Sequence, residues 1–514
     1  MRVFGPSLLK SKALALSSRE NMVRNTSEAQ IIAERKKHLK ALRRLGIDPY
    51  PSASRRTVSL SEAQEHFGAL KKRKNLILVG RLMAKREHGG LIFGDLKDEK
   101  ASIQVMFREN LLGQDFDILA LTDVGDFLEV QGRLVLTKRG EKTLEAKNFR
   151  LLSKTLRSLP SRWYGLKEIE TRFRKRYLDI LLNREVRERF ITRHKVIQLL
   201  REFLVRDGFL EFDTPVLQPI AGGALATPFK TYYEAEDLEV FLRIAPELYL
   251  KRLVIAGFEK VFEFARVFRN EGVSKEHLQD FTMLEFYQAY ADYRDLMKLT
   301  ERLVTGVVKA LYPNLKVPVG GRVINFKTPW RVISLRNAIK QYSGIDIDEA
   351  RDEKALTRAI RSRKLKLTFR GKASWGKLVD ELYKETVRPH LLGPVFLVDY
   401  PLALSPLAKR KEGEPNKVER FQLVIGGWEI VNAFSELNDP LEQKERFEEQ
   451  LKRKREGDRE AHPYDQEFIE ALEYGMPPTA GFGMGIERLL ALLTGAENVR
   501  ETVAFPFVKP KRKR

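Results

Sequence analysis

The chain has 514 residues, a net charge of +23, no cysteine and seven histidines. That length exceeds one ordinary core and predicts two or three domains. The missing cysteines exclude disulfides, zinc–thiolate sites, iron–sulfur clusters and thiol nucleophiles; the positive charge favours a polyanionic partner, nucleic acid first, and no apolar run reaches the ~18 residues of a membrane span.

In chain order, residues 1–26 are a basic extension without the sustained apolar stretch of a secretory signal. They read as a disordered segment, with Met22 an alternative start and a transit peptide the other reading. Residues 27–74 begin with a basic helix, 27–46, with Ser27 as N-cap and Gly46 as stop. It either lies on its own domain or follows a phosphate backbone.

Residues 75–153 alternate apolar and polar in five short runs punctuated by glycine, which predicts a small closed β-barrel of the OB-fold type. Such barrels bind single-stranded nucleic acid with aromatic and basic residues on one face. Arg86, Phe93 and Gln104 fit that use, although a strand phenylalanine is more often a core residue than a stacking platform. Residues 154–175, with Pro160 and a Trp163–Tyr164–Gly165 turn, read as a linker.

From 176 to 509 helices mix with antiparallel strands, so the whole chain is of the α+β class. A long helix is predicted from 186 to about 207, ended by Gly208, then a strand broken by Pro215. Residues 261–269 and 281–290 both alternate and form a predicted hairpin around a polar loop. Period two then puts Phe281, Met283, Glu285 and Tyr287 on one face, with Arg269 at the end of the first strand. An arginine suits phosphate, and a carboxylate on an apolar, aromatic face requires a cationic partner.

Gly426–Gly427 predicts a second hairpin pairing Val424 with Glu429 and Gln422 with Val431. Strict alternation leaves Asn432, Phe434 and Glu436 on the face opposite Glu429, unless a bulge lies between 429 and 432. Glu247 opens a predicted helix, as a first-turn acid or a ligand group. Residues 480–495 lead a glycine-rich strand into a helix carrying Arg488, with neither a P-loop nor a Rossmann spacing. Residues 294–395 have helical periodicity and are expected outside the main sheet. Residues 510–514 are a basic tail.

Taken together, FRNEG followed by EFYQAYADY, GMGIER, FLRIAPELYLKR, NAFSELNDP and SPLAKR resemble the motifs of class II aminoacyl-tRNA synthetases, specifically the lysyl-tRNA synthetases, over roughly residues 27–509. The resemblance implies a catalytic antiparallel sheet flanked by helices, an OB-fold reading the anticodon, and a homodimer formed through the helix ending near Gly208 and its following strand. It implies ATP and L-lysine as substrates, Mg²⁺ as cofactor, lysine tRNA as acceptor and a cytoplasmic location. By position it gives Arg269 and Arg488 the catalytic roles, and ATP contacts to Arg269, Glu271, His277, Phe281, Glu429 and Arg488. It assigns lysine contacts to Gly223, Glu247, Glu285, Tyr287, Asn432, Phe434 and Glu436, and anticodon contacts to Arg86, Phe93, Gln104 and Glu141. Metal ligation falls to Glu429 and Gln422. Gln422 stands where the family usually has glutamate, which removes one negative charge from that site. Leu278 follows His277 where asparagine is common. The alternatives are a relative that places lysine on a non-tRNA acceptor, or a non-catalytic RNA-binding paralogue.

Overall fold

The computed structural model describes residues 27–160, 168–272, 274–367, 374–456 and 461–510. The expectations for residues 1–26, for the Trp163–Tyr164–Gly165 turn and for residues 511–514 of the tail lie outside the described residues. The chain divides into two compact units, one ending at residue 167 and the other beginning at 168.

The first unit opens with the helix Glu28–Arg44, whose N-terminus is closed by a reciprocal pair of bonds between Ser27 and Gln30. One face docks on the barrel. Leu42 is fully buried, and the Arg35 guanidinium donates to Thr155 Oγ1 and to the carbonyls of Val124 and Arg157. Lys36, Lys37, Lys40, Arg43 and Arg44 stay exposed. The helix therefore lies on its own domain and also presents a basic face.

Five strands, Leu76–Glu87, Leu91–Lys97, Ser102–Arg108, Phe127–Leu136 and Lys142–Ser153, close into a barrel. Alternation fills it: Leu76, Leu78, Leu82, Leu96, Val105, Leu128, Val130 and Leu144 point inward. The expected linker 154–175 is shorter than the sequence implied. The Lys154 ammonium is buried against Asp126 (2.8 Å) and Asp123, and Thr155 donates twice to Asp126, so both residues belong to the barrel. Residues 169–174 and 176–182 are already helices of the second unit.

The second unit is built on a sheet whose main path runs Arg331–Ser334, Val395–Pro401, Glu414–Ile425, Trp428–Ser435, Thr479–Gly485, Asp280–Ala289, Lys260–Phe268 and Leu210–Glu211. Pairs are antiparallel except at the two ends, where 331–334 joins 395–401 and 210–211 joins 260–268 in parallel. One face is apolar. Leu284, Phe286, Phe421, Leu423, Val431, Ala433, Phe482 and Met484 project from it against the helices Arg184–Arg206, Tyr293–Leu311 and Ile486–Thr494. Each such side chain contributes roughly 1.5–3 kcal/mol by burial, and Phe286 stacks on Phe482 at 4.2 Å across neighbouring strands.

The segment 294–395 is not wholly outside this sheet, as its periodicity had suggested. It supplies the strand Arg331–Ser334, too short to stand out among helices. The helices Leu335–Ser343, Glu353–Ser362 and Trp375–Thr386 then form a separate apolar core at that edge.

Candidate active site

Because one sheet face is occupied by helices, the alternate residues of the same strands must face the other way. On that side stand Glu285 and Tyr287, then Gly481, Gly483 and Gly485, then Asn432 and Phe434. The glycines form a floor without side chains, flanked by strands that carry polar ones. A Cβ at Gly481 would overlap Glu436 Oε1 and lie 2.5 Å from Tyr287 Cε1, so these groups can approach only because the position is glycine. Above the floor is a cleft of about 1070 Å³, which all the expected ATP, lysine and metal residues line except Glu436. Glu436 lies just past the strand Trp428–Ser435, fully buried, its carboxylate toward Gly481.

One end of the cleft is cationic. The strands Lys260–Phe268 and Asp280–Ala289 pair with Val267 opposite Phe281 and Glu263 opposite Glu285. Arg269 follows the first strand, its backbone N–H donating to the Gln279 carbonyl. Its guanidinium lies 5.3 Å from the Phe281 ring centroid. Burial lowers its proton affinity; Glu271 opposes that and Arg488 adds to it.

Arg488, near the start of the helix Ile486–Thr494, donates to the Glu429 carbonyl at 3.1 Å and to His277 Nε2 at 3.2 Å. A guanidinium only donates, so Nε2 accepts and Nδ1 carries the proton toward Ser274 Oγ, 2.8 Å away. Burial, then Arg488, bring the His277 imidazolium down to about 4, leaving the ring neutral at pH 7. Leu278 is buried and brings no polar group to this end.

The other end gathers carboxylates. Glu247 opens the helix Glu247–Ile255, Glu285 comes from the central strand and Glu436 from the opposite hairpin. All three are buried. Tyr287 donates to Glu285 Oε2 at 3.1 Å. Burial raises all three acids: Glu285 well above the usual carboxylate range, helped by Glu247, and Glu436 to about 8 against the pull of Lys251. Lys251 itself contacts Glu247 Oε1 at 2.6 Å and Glu436 Oε2. Asn432 Oδ1 accepts from Arg420 at 2.8 Å, which fixes the amide, and Phe434 packs alongside.

Gly223, at φ +87°, comes within 2.9 Å of the Glu247 Cβ for any added methyl. Its N–H donates to His462 Nε2 at 2.7 Å. His462 therefore carries its proton on Nδ1, 2.6 Å from the Pro463 carbonyl, and its ring stacks on Phe447 at 4.7 Å.

The second hairpin resolves the facing problem. Val424 pairs with Glu429 and Leu423 with Val431, so Ile430 is an extra residue and the faces switch there. Gln422 consequently sits opposite Asn432, not Val431. Its Oε1 accepts from Tyr400 at 2.7 Å and from Tyr383 at 3.4 Å. The Tyr400 bond occupies one lone pair, and the longer Tyr383 contact competes with a cation for the other. Among the described residues no three His, Asp or Glu gather as a metal cage. Glu429 lines the cleft, a donor set that fits a magnesium held by one carboxylate, phosphates and water.

On the barrel, Phe93 alternates outward from the buried Ile92 and Gly94 and meets His88 edge-on at 6.4 Å. Arg86 is paired across the strands with Phe93 and held by Asp95 through two bonds of 2.8 and 2.9 Å. Gln104 lies opposite Asp95 and donates to Glu141 at 3.2 Å. The four expected nucleic-acid contacts thus share one outer surface.

The family model for "tRNA synthetases class II (D, K and N)" matches residues 168–509, and that for "OB-fold nucleic acid binding domain" matches residues 76–152. The chain is 44% identical to the lysine–tRNA ligase of Carboxydothermus hydrogenoformans over 483 residues, 94% of this chain and 98% of the relative. It is 45% identical to that of Dehalococcoides mccartyi over 491 residues (94% and 98%). The chain belongs to the lysine–tRNA ligase family of class II tRNA synthetases. A third member, from Thermoanaerobacter pseudethanolicus, is 43% identical over 498 residues, 96% of this chain and 99% of the relative.

Sequence reasoning missed three residues that shape this family's site here: Lys251, Arg420 and His462. Lys251 had a readable signal, one helical turn from Glu247. His462 had none, since its partner is 239 residues away.

Proposed function

We propose that this chain is a lysine–tRNA ligase that activates L-lysine with ATP and transfers it to the 3′ end of lysine tRNA. The observation that carries the reading is a single cleft with two arginines at one end and three buried carboxylates at the other. Lysine is the amino acid whose two ammonium groups match those acids, while its carboxylate must meet the α-phosphate of ATP.

In the first step the lysine carboxylate oxygen attacks the α-phosphorus, a bond to phosphorus forms, and pyrophosphate leaves with the electron pair. The nucleophile is already ionised, so no protein base is needed. Arg269 would neutralise the charge at phosphorus, and Phe281 and Arg488 would hold the adenine between them. His277, neutral in the empty cleft, would approach the terminal phosphates, and Glu271 the adenine or the amino acid. A magnesium ion would neutralise phosphate charge; of the two expected ligands, Glu429 is the one with a carboxylate to offer. Glu247, Glu285 and Glu436 would take the ammonium groups, with Tyr287, Asn432, Phe434 and Gly223 completing the pocket. In the second step a hydroxyl at the tRNA 3′ end attacks the carbonyl carbon and AMP leaves.

On the barrel, Phe93 would stack on an anticodon base while Arg86, Gln104 and Glu141 read base edges. A homodimer through residues 184–218 is supported by the exposed Val205, Leu210, Val216 and Leu217. A cytoplasmic location accords with the cysteine-free composition. Among the described residues no helix is long and apolar enough to cross a membrane.

The deciding experiment is ATP–pyrophosphate exchange with each of the twenty amino acids, followed by charging of tRNA. Exchange with lysine and charging of lysine tRNA are expected. Absence of lysine-dependent exchange overturns the reading, and exchange without charging moves lysine to another acceptor.

A further inference from the structure

At the amino-acid end of the cleft, Lys251 is a buried cation in direct contact with two of the three carboxylates. Its side chain is fully buried. The ammonium touches Glu247, one turn earlier on its own helix, at 2.6 Å, and Glu436, which arrives from the strand hairpin. The rings of Phe434 and Phe468 each lie 5.8 Å from it and close it off. The other ionisable groups facing this pocket include Glu285 and Tyr287 from the central strand, Arg269 and Glu263 acting on Glu285, Arg420 on Asn432, and His462 behind Gly223.

A buried ion pair is poor evidence of a stabilising role, because apolar side chains of similar volume commonly do as well. A further observation points to the ligand. Glu436 is 1% exposed and its Oε2 meets the Lys251 ammonium, yet its Oε1 makes no hydrogen bond within the described residues and is turned toward Gly481 and Tyr287 on the cleft floor. A desolvated carboxylate oxygen without a hydrogen bond needs a donor from outside.

We propose that Lys251 is a positioning residue that acts as a resident third ammonium, fixing Glu247 and Glu436 and setting the charge of the amino-acid pocket to match lysine. With all three acids ionised, one resident ammonium leaves two negative charges, equal to the two ammonium groups of the incoming amino acid. Without Lys251 the third acid has no counter-charge and keeps its proton even with lysine bound, which removes an acceptor from the pocket. The proposal rests on the reading of this cleft as a lysine site.

The test compares wild type, Lys251→Met and Lys251→Arg in lysine-dependent ATP–pyrophosphate exchange between pH 6 and 8.5, using the full chain. Lys251→Met keeps the stem and removes the charge. Its KM for lysine is expected to rise more than tenfold while its KM for ATP stays within about twofold. The acid limb of kcat/KM for lysine moves to higher pH, because the acids lose a neighbouring cation. Lys251→Arg, which keeps the charge, retains the wild-type acid limb even with a raised KM. Equal losses for lysine and ATP, or an acid limb unmoved in Lys251→Met, overturn the proposal. If Lys251→Met does not fold, an acid limb displaced in Lys251→Arg overturns it equally. A wild-type chain without lysine-dependent exchange refutes the lysine reading itself, a separate outcome.

Discussion

Lysine binding is expected to expel protons from the cleft. Burial pushes the Glu436 carboxyl up to about 8 and holds that of Glu285 well above its ordinary value, so at pH 7 the empty pocket carries protons on these acids. A group with a pKa near 8 is about nine-tenths protonated at pH 7. An ammonium arriving within hydrogen-bond distance favours the ionised form, so the proton leaves as the ligand enters. Displacing it costs about 1.4 kcal/mol at pH 7 for Glu436 alone. The sign follows directly: affinity for lysine rises with pH until the carboxyl is ionised beforehand. For that one group, Kd is expected to weaken about eightfold from pH 7.5 to pH 6.5, and more if Glu285 takes part. Lysine remains fully diprotonated over that interval, and His277, at about 4, stays neutral. Isothermal titration of lysine into the protein in buffers of different ionisation enthalpy gives the proton count. Close to one proton or more per lysine is expected at pH 7, falling by about one in Glu436→Gln. A buffer-independent heat together with a flat Kd across the interval would refute the account of how these carboxylates are poised.

Four substitutions probe the rest of the geometry. Glu285→Gln keeps the shape and removes the charge; lysine KM is expected to rise at least tenfold with ATP KM nearly unchanged, and equal losses would contradict the assignment. His462→Phe keeps the stack on Phe447 but strands the Gly223 N–H. An unpaired buried donor costs ~1–3 kcal/mol, so lysine KM should rise about five- to 150-fold without a change in ATP KM, as measured by exchange kinetics. Gly481→Ala pushes a methyl into Glu436 and Tyr287 and should abolish lysine-dependent exchange while ATP-analogue binding persists by calorimetry. Phe93→Ala removes one stacking platform worth ~1–3 kcal/mol; KM for tRNA in aminoacylation should rise correspondingly while exchange is spared.

The fold was legible wherever periodicity ran long. The barrel strands, the helix Arg184–Arg206 and the hairpin of Lys260–Phe268 with Asp280–Ala289 each carry an apolar pattern over seven or more residues. The errors fall where the pattern is short or decided by tertiary contact. Four residues, Arg331–Ser334, are too few to show period two, yet the chain pairs them in parallel with 395–401. The helix at 169–174 was hidden in the expected linker 154–175, and the short helix that follows at 176–182 packs through the buried pair Arg176–Asp179, which an apolar pattern does not reveal.

The site divides along a similar line. Phe281, Glu285 and Tyr287 could be placed on one face from period two alone, whereas a bulge between 429 and 432 was an open possibility in the sequence, and only the strand pairing locates it at Ile430. What alternation cannot give is the state of a charged group, because that depends on residues distant in sequence. Gln422 occupies a position suited to a metal ligand, but two tyrosines from other elements, Tyr383 and Tyr400, engage its oxygen. Burial raises both phenols' proton affinity, so they remain neutral donors and hold the amide where it is. Glu247 and Glu436 likewise look in sequence like free acids awaiting a substrate, and in the folded chain they already share an ammonium. A pocket for a cation is therefore not simply a set of carboxylates. Three such groups buried together hold protons in the empty cleft, and a resident cation eases their ionisation when a substrate ammonium arrives.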